Sequence, residues 1–175
     1  MKSQPNPDCV RDDVIYTPVE LARKIYRHFR PTGFGLDPSM GNGAFYNLFD
    51  DGKRDWCEIA NGRDFFSYDK KVDFIMTNPP WSLFRRFVEH GMEIANDIYY
   101  LITVNHVFTK CRIRSIYQAG FGIREILMID TPKNFPQSGF QVGVVHLKKG
   151  WKGDIKLSAI GDTFVSMNQR QDSLI

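Results

Sequence analysis

Thr77-Asn78-Pro79-Pro80-Trp81 is the stretch whose residue types point most directly to chemistry. Two successive prolines cannot continue a central strand, and they stiffen the chain. They also lack N–H groups, so nearby carbonyls stay available as acceptors. Asn78 adds an amide oxygen beside the Pro79 carbonyl, and Trp81 adds a large flat face. Together these groups suit an exocyclic amine on a planar ring. A Pro-rich turn with a surface Trp is the plain structural alternative.

Asp37-Pro38-Ser39-Met40-Gly41-Asn42-Gly43-Ala44-Phe45 forms a second group. Gly41 and Gly43 permit a tight turn and close backbone approach to a ligand. Tyr46 stands where a dinucleotide fingerprint has its third glycine. Asp37 would repel a pyrophosphate but suits a cationic amino group. Glu58, at the end of the next expected strand, can accept both hydroxyls of an adenosine ribose. In Gly62-Arg63-Asp64-Phe65-Phe66, Asp64 can take an adenine amino group and Phe65 can lie against the ring. Taken singly, these features also read as a tight turn, a solvated charge and a core Phe.

The elements that must position these residues follow from periodicity. Thr17 as N-cap and Pro18 at the first helical position start a helix with Leu21, Ala22, Ile25 and Phe29 on one face. Strands are expected at 34–37, 56–59, 72–77, 98–104, 124–129 and 142–147, with helices at 44–49, 83–95 and 113–119. Alternation of this kind implies an α/β fold: a doubly wound, mostly parallel sheet with helices on both faces. The loop 130–141 is too short for a crossover helix, so the last two strands are expected as an antiparallel hairpin at the edge. Ligands of such sheets bind beyond the carboxyl ends of the strands, where Asp37, Glu58, Asn78 and Val104 fall.

The chain has 175 residues, 42% hydrophobic and 25% charged, an ordinary globular composition that excludes bulk disorder. Residues 1–12 read as a loose arm, 13–164 as one domain and 165–175 as a tail. No apolar run approaches the roughly 20 residues of a membrane span, and the N-terminus lacks a signal-peptide core. A cytoplasmic location without a membrane partner is expected. The three cysteines form no CxxC pair and the four histidines show no ligand spacing, so no metal is expected. The net charge of +3 is compatible with a nucleic-acid partner. Arg85 and Arg86, just after the prolines, and Lys110, Arg112 and Arg114, after the 98–104 strand, are the candidate phosphate contacts. A solvated helix face is the ordinary reading of such charges.

DPxxGxGxF, an acidic strand end, GRDFF and NPPW together resemble the class I S-adenosylmethionine (SAM)-dependent amino-methyltransferases. NPPW resembles the signature of the N6-adenine DNA methyltransferases. Tyr16-Thr17-Pro18 is similar to that family's first cofactor motif. Asn134-Phe135-Pro136-Gln137 is similar to its later loop, whose aromatic contacts a flipped base. The resemblance covers roughly residues 13–150. It implies a Rossmann-like fold, SAM held by 16–18, Asp37, Pro38, Ser39, Gly41, Gly43, Glu58, Asp64, Phe65 and Asn78, and catalysis by Asn78, Pro79, Pro80 and Trp81. It implies Trp81 and Phe135 against the extruded adenine.

No segment long enough for a separate target-recognition domain follows 147, so low sequence selectivity or a single-stranded substrate is expected. Base contacts would then come from loops, a second copy or a recognition subunit. RNA methylation is the nearest alternative, followed by protein glutamine methylation, against which Trp81 and the short N-terminus argue. A non-catalytic subunit is disfavoured by the intact NPPW and glycine loop.

Overall fold

The computed structural model describes residues 15–137 and 139–162; the expected arm and tail lie outside the described residues. Seven strands form one sheet in the order β2-β1-β3-β4-β6-β5-β7. They are β1 (Gly35–Asp37), β2 (Arg54–Trp56), β3 (Val72–Thr77), β4 (Ala95–Thr103), β5 (Phe121–Ile129), β6 (Val142–Lys149) and β7 (Lys156–Ile160). All neighbours run parallel except β6, which is antiparallel to both β4 and β5. The helices are α1 (Val19–Phe29), α2 (Phe84–Ile94) and α3 (Lys110–Gln118).

Alternation along the central strands divides the apolar residues between two faces. Ile75 of β3 and Ile98, Tyr100 and Ile102 of β4 share one cluster with Phe87 and Val88 of α2 and Ile116 of α3. Phe74 and Met76 of β3 and Tyr99 and Leu101 of β4 share the other with Ala22 and Ile25 of α1. The sheet is thus covered on both sides, as a parallel sheet requires.

Four local expectations change. The helix expected at 44–49 is only a 3-10 turn, Tyr46–Leu48, because too few residues separate Gly43 from the turn at Asp50-Asp51-Gly52 for an α-helix to nucleate. Thr17 is not the cap of α1: Pro18 occupies that place with no side-chain cap, and Thr17 is buried. The strand expected at 56–59 ends at Trp56, and Glu58 instead opens a short 3-10 turn. The hairpin β5–β6 is antiparallel as expected, but β7 pairs outside β5 and takes the edge. Sequence reading missed β7, a five-residue strand whose side chains are mostly exposed, the apolar Leu157 included.

The strand order reverses between β1 and β3. β2 lies on one side of β1, while the chain next returns on the other as β3. This switch point places Asp37 and Thr77-Asn78 side by side at the carboxyl ends of adjacent strands.

Candidate active site

The glycine loop leaves β1 at Asp37 and is tied to its neighbours by short bonds. Met40 N–H donates to the Cys57 carbonyl (3.0 Å), and Cys57 N–H donates to the Asp37 carbonyl (2.9 Å). Gly41 (φ 53°) and Gly43 (φ 81°) take backbone conformations that side chains rarely adopt. The Tyr16 ring packs over Gly41, where an added Cβ would lie 3.1 Å from Cδ1. Ser39 clamps the two strand ends: its Oγ lies 2.8 Å from Thr77 Oγ1 and donates to the Asn78 carbonyl at 2.9 Å.

Asp37 is buried beneath this loop. Its carboxylate accepts from Tyr46 N–H (3.2 Å) and, weakly, from Ser39 N–H (3.4 Å). Desolvation pushes its carboxyl up to about 7, against hydrogen bonds from the Thr77 hydroxyl and these amides, with Glu58 adding to the rise. Glu58 faces the loop from the end of β2: one oxygen accepts from Gly41 N–H (2.8 Å), the other from Ala60 N–H (3.3 Å). Asp64 caps the next 3-10 turn through Phe66 N–H (3.0 Å).

Ile15, Tyr16 and Thr17 line a cleft together with Asp37, Gly41 and Asn78. The segment is laid there by two amides. Asn78 Nδ2 donates to the Ile15 carbonyl (3.0 Å), and Asn134 Nδ2 donates to the Tyr16 carbonyl (2.9 Å). Ile15 and Asn134 act through backbone oxygens or amide donors, and residue type alone gave no sign of either pairing.

The bond to Ile15 settles which way the Asn78 amide points, leaving Oδ1 on the other side. Trp81 Nε1 donates to that Oδ1 and to the Leu101 carbonyl, both at 3.3 Å. The second contact follows from register, since Thr77 lies opposite Tyr100. Pro79 is buried. No described residue donates to its carbonyl.

Two aromatic expectations are corrected. Phe65 is 3% exposed, with its ring against Phe87 and His90 in the core, so it does not present an open face. Phe135 is likewise 3% exposed and meets Trp81 edge-on, with centroids 6.0 Å apart at 67°. It props the indole rather than presenting a face of its own. Gln137 holds this loop by donating to the Pro132 and Phe135 carbonyls.

The basic residues divide. Arg85 is paired with Glu89 at 2.8 Å, and Arg86 lies 3.9 Å over the Phe66 ring. Arg112 rests over Phe84 at 5.0 Å, while Lys110 and Arg114 are exposed. α2 and α3 start at the carboxyl end of the sheet without acidic residues in their first turns. Their positive ends therefore reinforce the cations there.

No protein-family description matches the sequence, and no curated protein matches it. Solved structures do match. A candidate RNA methyltransferase from Pyrococcus horikoshii is 19% identical, with a TM-score of 0.57 over 85% of this chain and 92% of that one. The modification subunit of a candidate type I restriction enzyme from Vibrio vulnificus is 12% identical, with a TM-score of 0.60 over 86% and 48%. The M protein of the EcoKI type I restriction enzyme is 13% identical, with a TM-score of 0.55 over 78% and 44%. The chain thus spans less than half the length of these two restriction subunits. The fold is the Rossmann-like fold of SAM-dependent methyltransferases. No helix among the described residues is long and apolar enough to cross a membrane.

Proposed function

We propose that this chain transfers a methyl group from SAM to the exocyclic N6 of adenine in DNA. The observation that carries the reading is the Asn78 side chain: its amide is oriented from both ends, beside a Pro79 carbonyl with no described donor and at the N–H edge of the Trp81 indole. Few planar groups other than an exocyclic amine use two neighbouring acceptors and a stacking face.

The residues at the cleft fit SAM by their chemistry. Asp37 is a buried carboxylate with no described cation paired to it, and an α-ammonium supplies one. Glu58 has acceptor capacity left for a ribose diol, and Asp64 for an adenine amino group. The Gly41 backbone, lacking a Cβ, lets a ligand approach closely under Tyr16. When bound, SAM supplies the electrophilic methyl carbon.

Asn78 Oδ1 and the Pro79 carbonyl accept the two N6 hydrogens. That draws the nitrogen out of conjugation with the ring, and its lone pair turns towards the cleft. Bound SAM would supply its methyl carbon to that lone pair and keep the carbon–sulfur electron pair on sulfur, and the surplus N6 proton would leave to solvent. Orientation and preorganised dipoles supply the rate, and no dedicated base is required before attack. Trp81 holds the extruded base by stacking, and Phe135 keeps the indole in place.

The similar fold of the EcoKI M protein and the Vibrio vulnificus modification subunit supports DNA as substrate, with a recognition subunit or a second copy as partner. The Pyrococcus horikoshii neighbour, matched over 92% of its length, favours RNA as the second reading. Incubation with SAM and single-stranded DNA, duplex DNA or RNA, followed by nucleoside mass spectrometry, tests both. N6-methyladenine in DNA, abolished by Asn78→Ala, is the expected result. Its appearance only in RNA favours the second reading, and its absence from every sample overturns both.

A further inference from the structure

Ile15, Tyr16 and Thr17 form a strap along the cofactor cleft, yet the side chains that hold it belong to the base side of the site. Asn78 Nδ2 donates to the Ile15 carbonyl at 3.0 Å, and Asn134 Nδ2 donates to the Tyr16 carbonyl at 2.9 Å. Asn78 is the acceptor proposed for the target amine. Asn134 precedes Phe135, whose ring props Trp81 at a centroid distance of 6.0 Å. Ile15 and Trp81 both pack against the apolar cluster that contains Phe135. Towards the cofactor, the strap sets the Tyr16 ring over Gly41. Residues 15–17 are thus a wall common to both halves of the site.

The Asn78 amide shows what the strap controls. Trp81 Nε1 donates to Asn78 Oδ1 at 3.3 Å but is equally directed at the Leu101 carbonyl, so its hold is shared. The shorter bond to Ile15 is the firmer constraint on which end of the amide faces the base. With the Ile15 carbonyl in place, Oδ1 is presented and accepts an N–H. With that carbonyl displaced, the amide can turn over and set its own N–H against the amine, donor to donor. A base lacking the amine does not register that change.

We propose that the strap couples the two halves of the site. Occupancy of the cofactor cleft seats residues 15–17 and so fixes Asn78 for an exocyclic amine, and Asn134 is the positioning residue that anchors the strap. Asn134 is exposed. Its loop is stiff enough to serve as an anchor, because Gln137 Nε2 donates to both the Pro132 and Phe135 carbonyls, at 3.0 and 2.9 Å. Both ligands favour the same seated strap, so each tightens the other by the same factor. The inference rests on the methyltransferase reading of the cleft, and adds how its cofactor and base halves are linked.

The test is the affinity of the full chain for a fluorescein-labelled oligothymidylate carrying one central adenine, by anisotropy. It is measured with and without saturating S-adenosylhomocysteine, which keeps the α-ammonium and adenosine of SAM but has no methyl to transfer. The parent is expected to bind the strand about 10-fold tighter when S-adenosylhomocysteine is present. Calorimetric titration of S-adenosylhomocysteine with and without the strand should return the same factor. Purine in place of the adenine, lacking the amine, is expected to remove most of the gain. Asn134→Ala is expected to cut the gain below about 3-fold through the loss of one hydrogen bond. Asn134→Asp keeps the shape without the donor and is expected to match it. A merely structural Asn134 would weaken each ligand alone and leave the ratio unchanged.

A parent gain within about twofold of unity would overturn the coupling. So would an equal gain for the purine strand, or a gain unaltered by Asn134→Ala in a variant whose circular dichroism matches the parent. The two readings fail separately. A chain that binds S-adenosylhomocysteine and methylates adenine without this linkage loses the coupling alone. A chain that binds no S-adenosylhomocysteine loses the methyltransferase reading and the coupling together.

Discussion

Asp37 closes β1 at the carboxyl end and Asp97 lies near the start of β4, level with Gly35, and the fold treats their charges in opposite ways. Asp37 is buried, with amide and hydroxyl donors but no described cation beside it. Burial lifts its carboxyl to about 7. At Asp97, His146 Nε2 is 2.6 Å from one oxygen and Lys148 Nζ is 2.9 Å from the other. Burial pushes Asp97 up as well, but the bonds from His146 and Lys148 more than offset it, and its pKa falls below the ordinary value. β6 makes that compensation possible, since its antiparallel register sets His146 and Lys148 beside β4. The Asp97 cluster is electrostatically complete. The Asp37 site leaves a carboxylate without a cation at the switch point, where a cationic ligand would supply one.

If that contrast is right, substitutions at the two sites have separable consequences. The largest effect on activity belongs to Asn78→Ala. It removes one of two fixed acceptors at the reacting nitrogen, worth about 3 kcal/mol in the transition state or roughly 100-fold in kcat/KM. Steady-state kinetics should register the loss, while the lost bonds to Ile15 and Trp81 lower stability by only about 1 kcal/mol. A large fall in melting temperature would assign Asn78 to the structural side of the comparison.

Asp97→Ala is the converse. It strands Lys148 and the buried His146 without their shared partner, at an expected cost of about 2 kcal/mol in urea unfolding. SAM affinity, measured well below the unfolding midpoint, should not change. A loss of SAM affinity in a folded protein would break the separation.

Asp37→Asn sharpens the contrast through pH. The folded carboxyl titrates above its ordinary value, so the native state binds more protons than the unfolded state in between. The stability is fully present below about pH 4 and drains as pH rises to about 7. Its slope in that window approaches about 1.4 kcal/mol per pH unit. Unfolding free energies of the parent measured across pH 4–7 should fall by this contribution, and the Asp37→Asn profile should lack it. Matching profiles would mean that Asp37 is already compensated.

Gly41→Ala carries the smallest effect. A positive φ and the Tyr16 ring 3.1 Å from the new Cβ together cost about 1 kcal/mol. Calorimetry should find weaker SAM binding along with the modest loss of stability.

The sequence made some of this legible for physical reasons. Val72–Thr77 reads as a buried strand because its apolar run stops at two prolines, and that stop is also the site. The acidic residues at the ends of β1 and β2 could be placed by strand-end logic alone. The two-sided sheet followed from alternation. The sequence said less where one residue type serves two ends. Phe65 and Phe135 are as apolar as any stacking ring, and only the packed structure assigns them to the core. Phe108 and Phe140 are equally apolar and stay outside, for which no periodicity gave a sign. β7 was hidden because it is short and lies at an exposed edge, with little apolar surface to bury. The anchoring of Asn78 on Ile15 was hidden because a backbone carbonyl carries no residue type.

The central claim is that the carboxyl end holds SAM, with Asp37 as the carboxylate awaiting its ammonium. Calorimetric titration of SAM at pH 6, in two buffers of different ionisation enthalpy, tests it most directly. At that pH Asp37 is largely protonated in the free protein, and a bound cation favours its ionised form. The account predicts SAM binding accompanied by release of a substantial fraction of a proton in the parent, and none from this source in Asp37→Asn. Binding with no proton release, or release unaltered by Asp37→Asn, would contradict it.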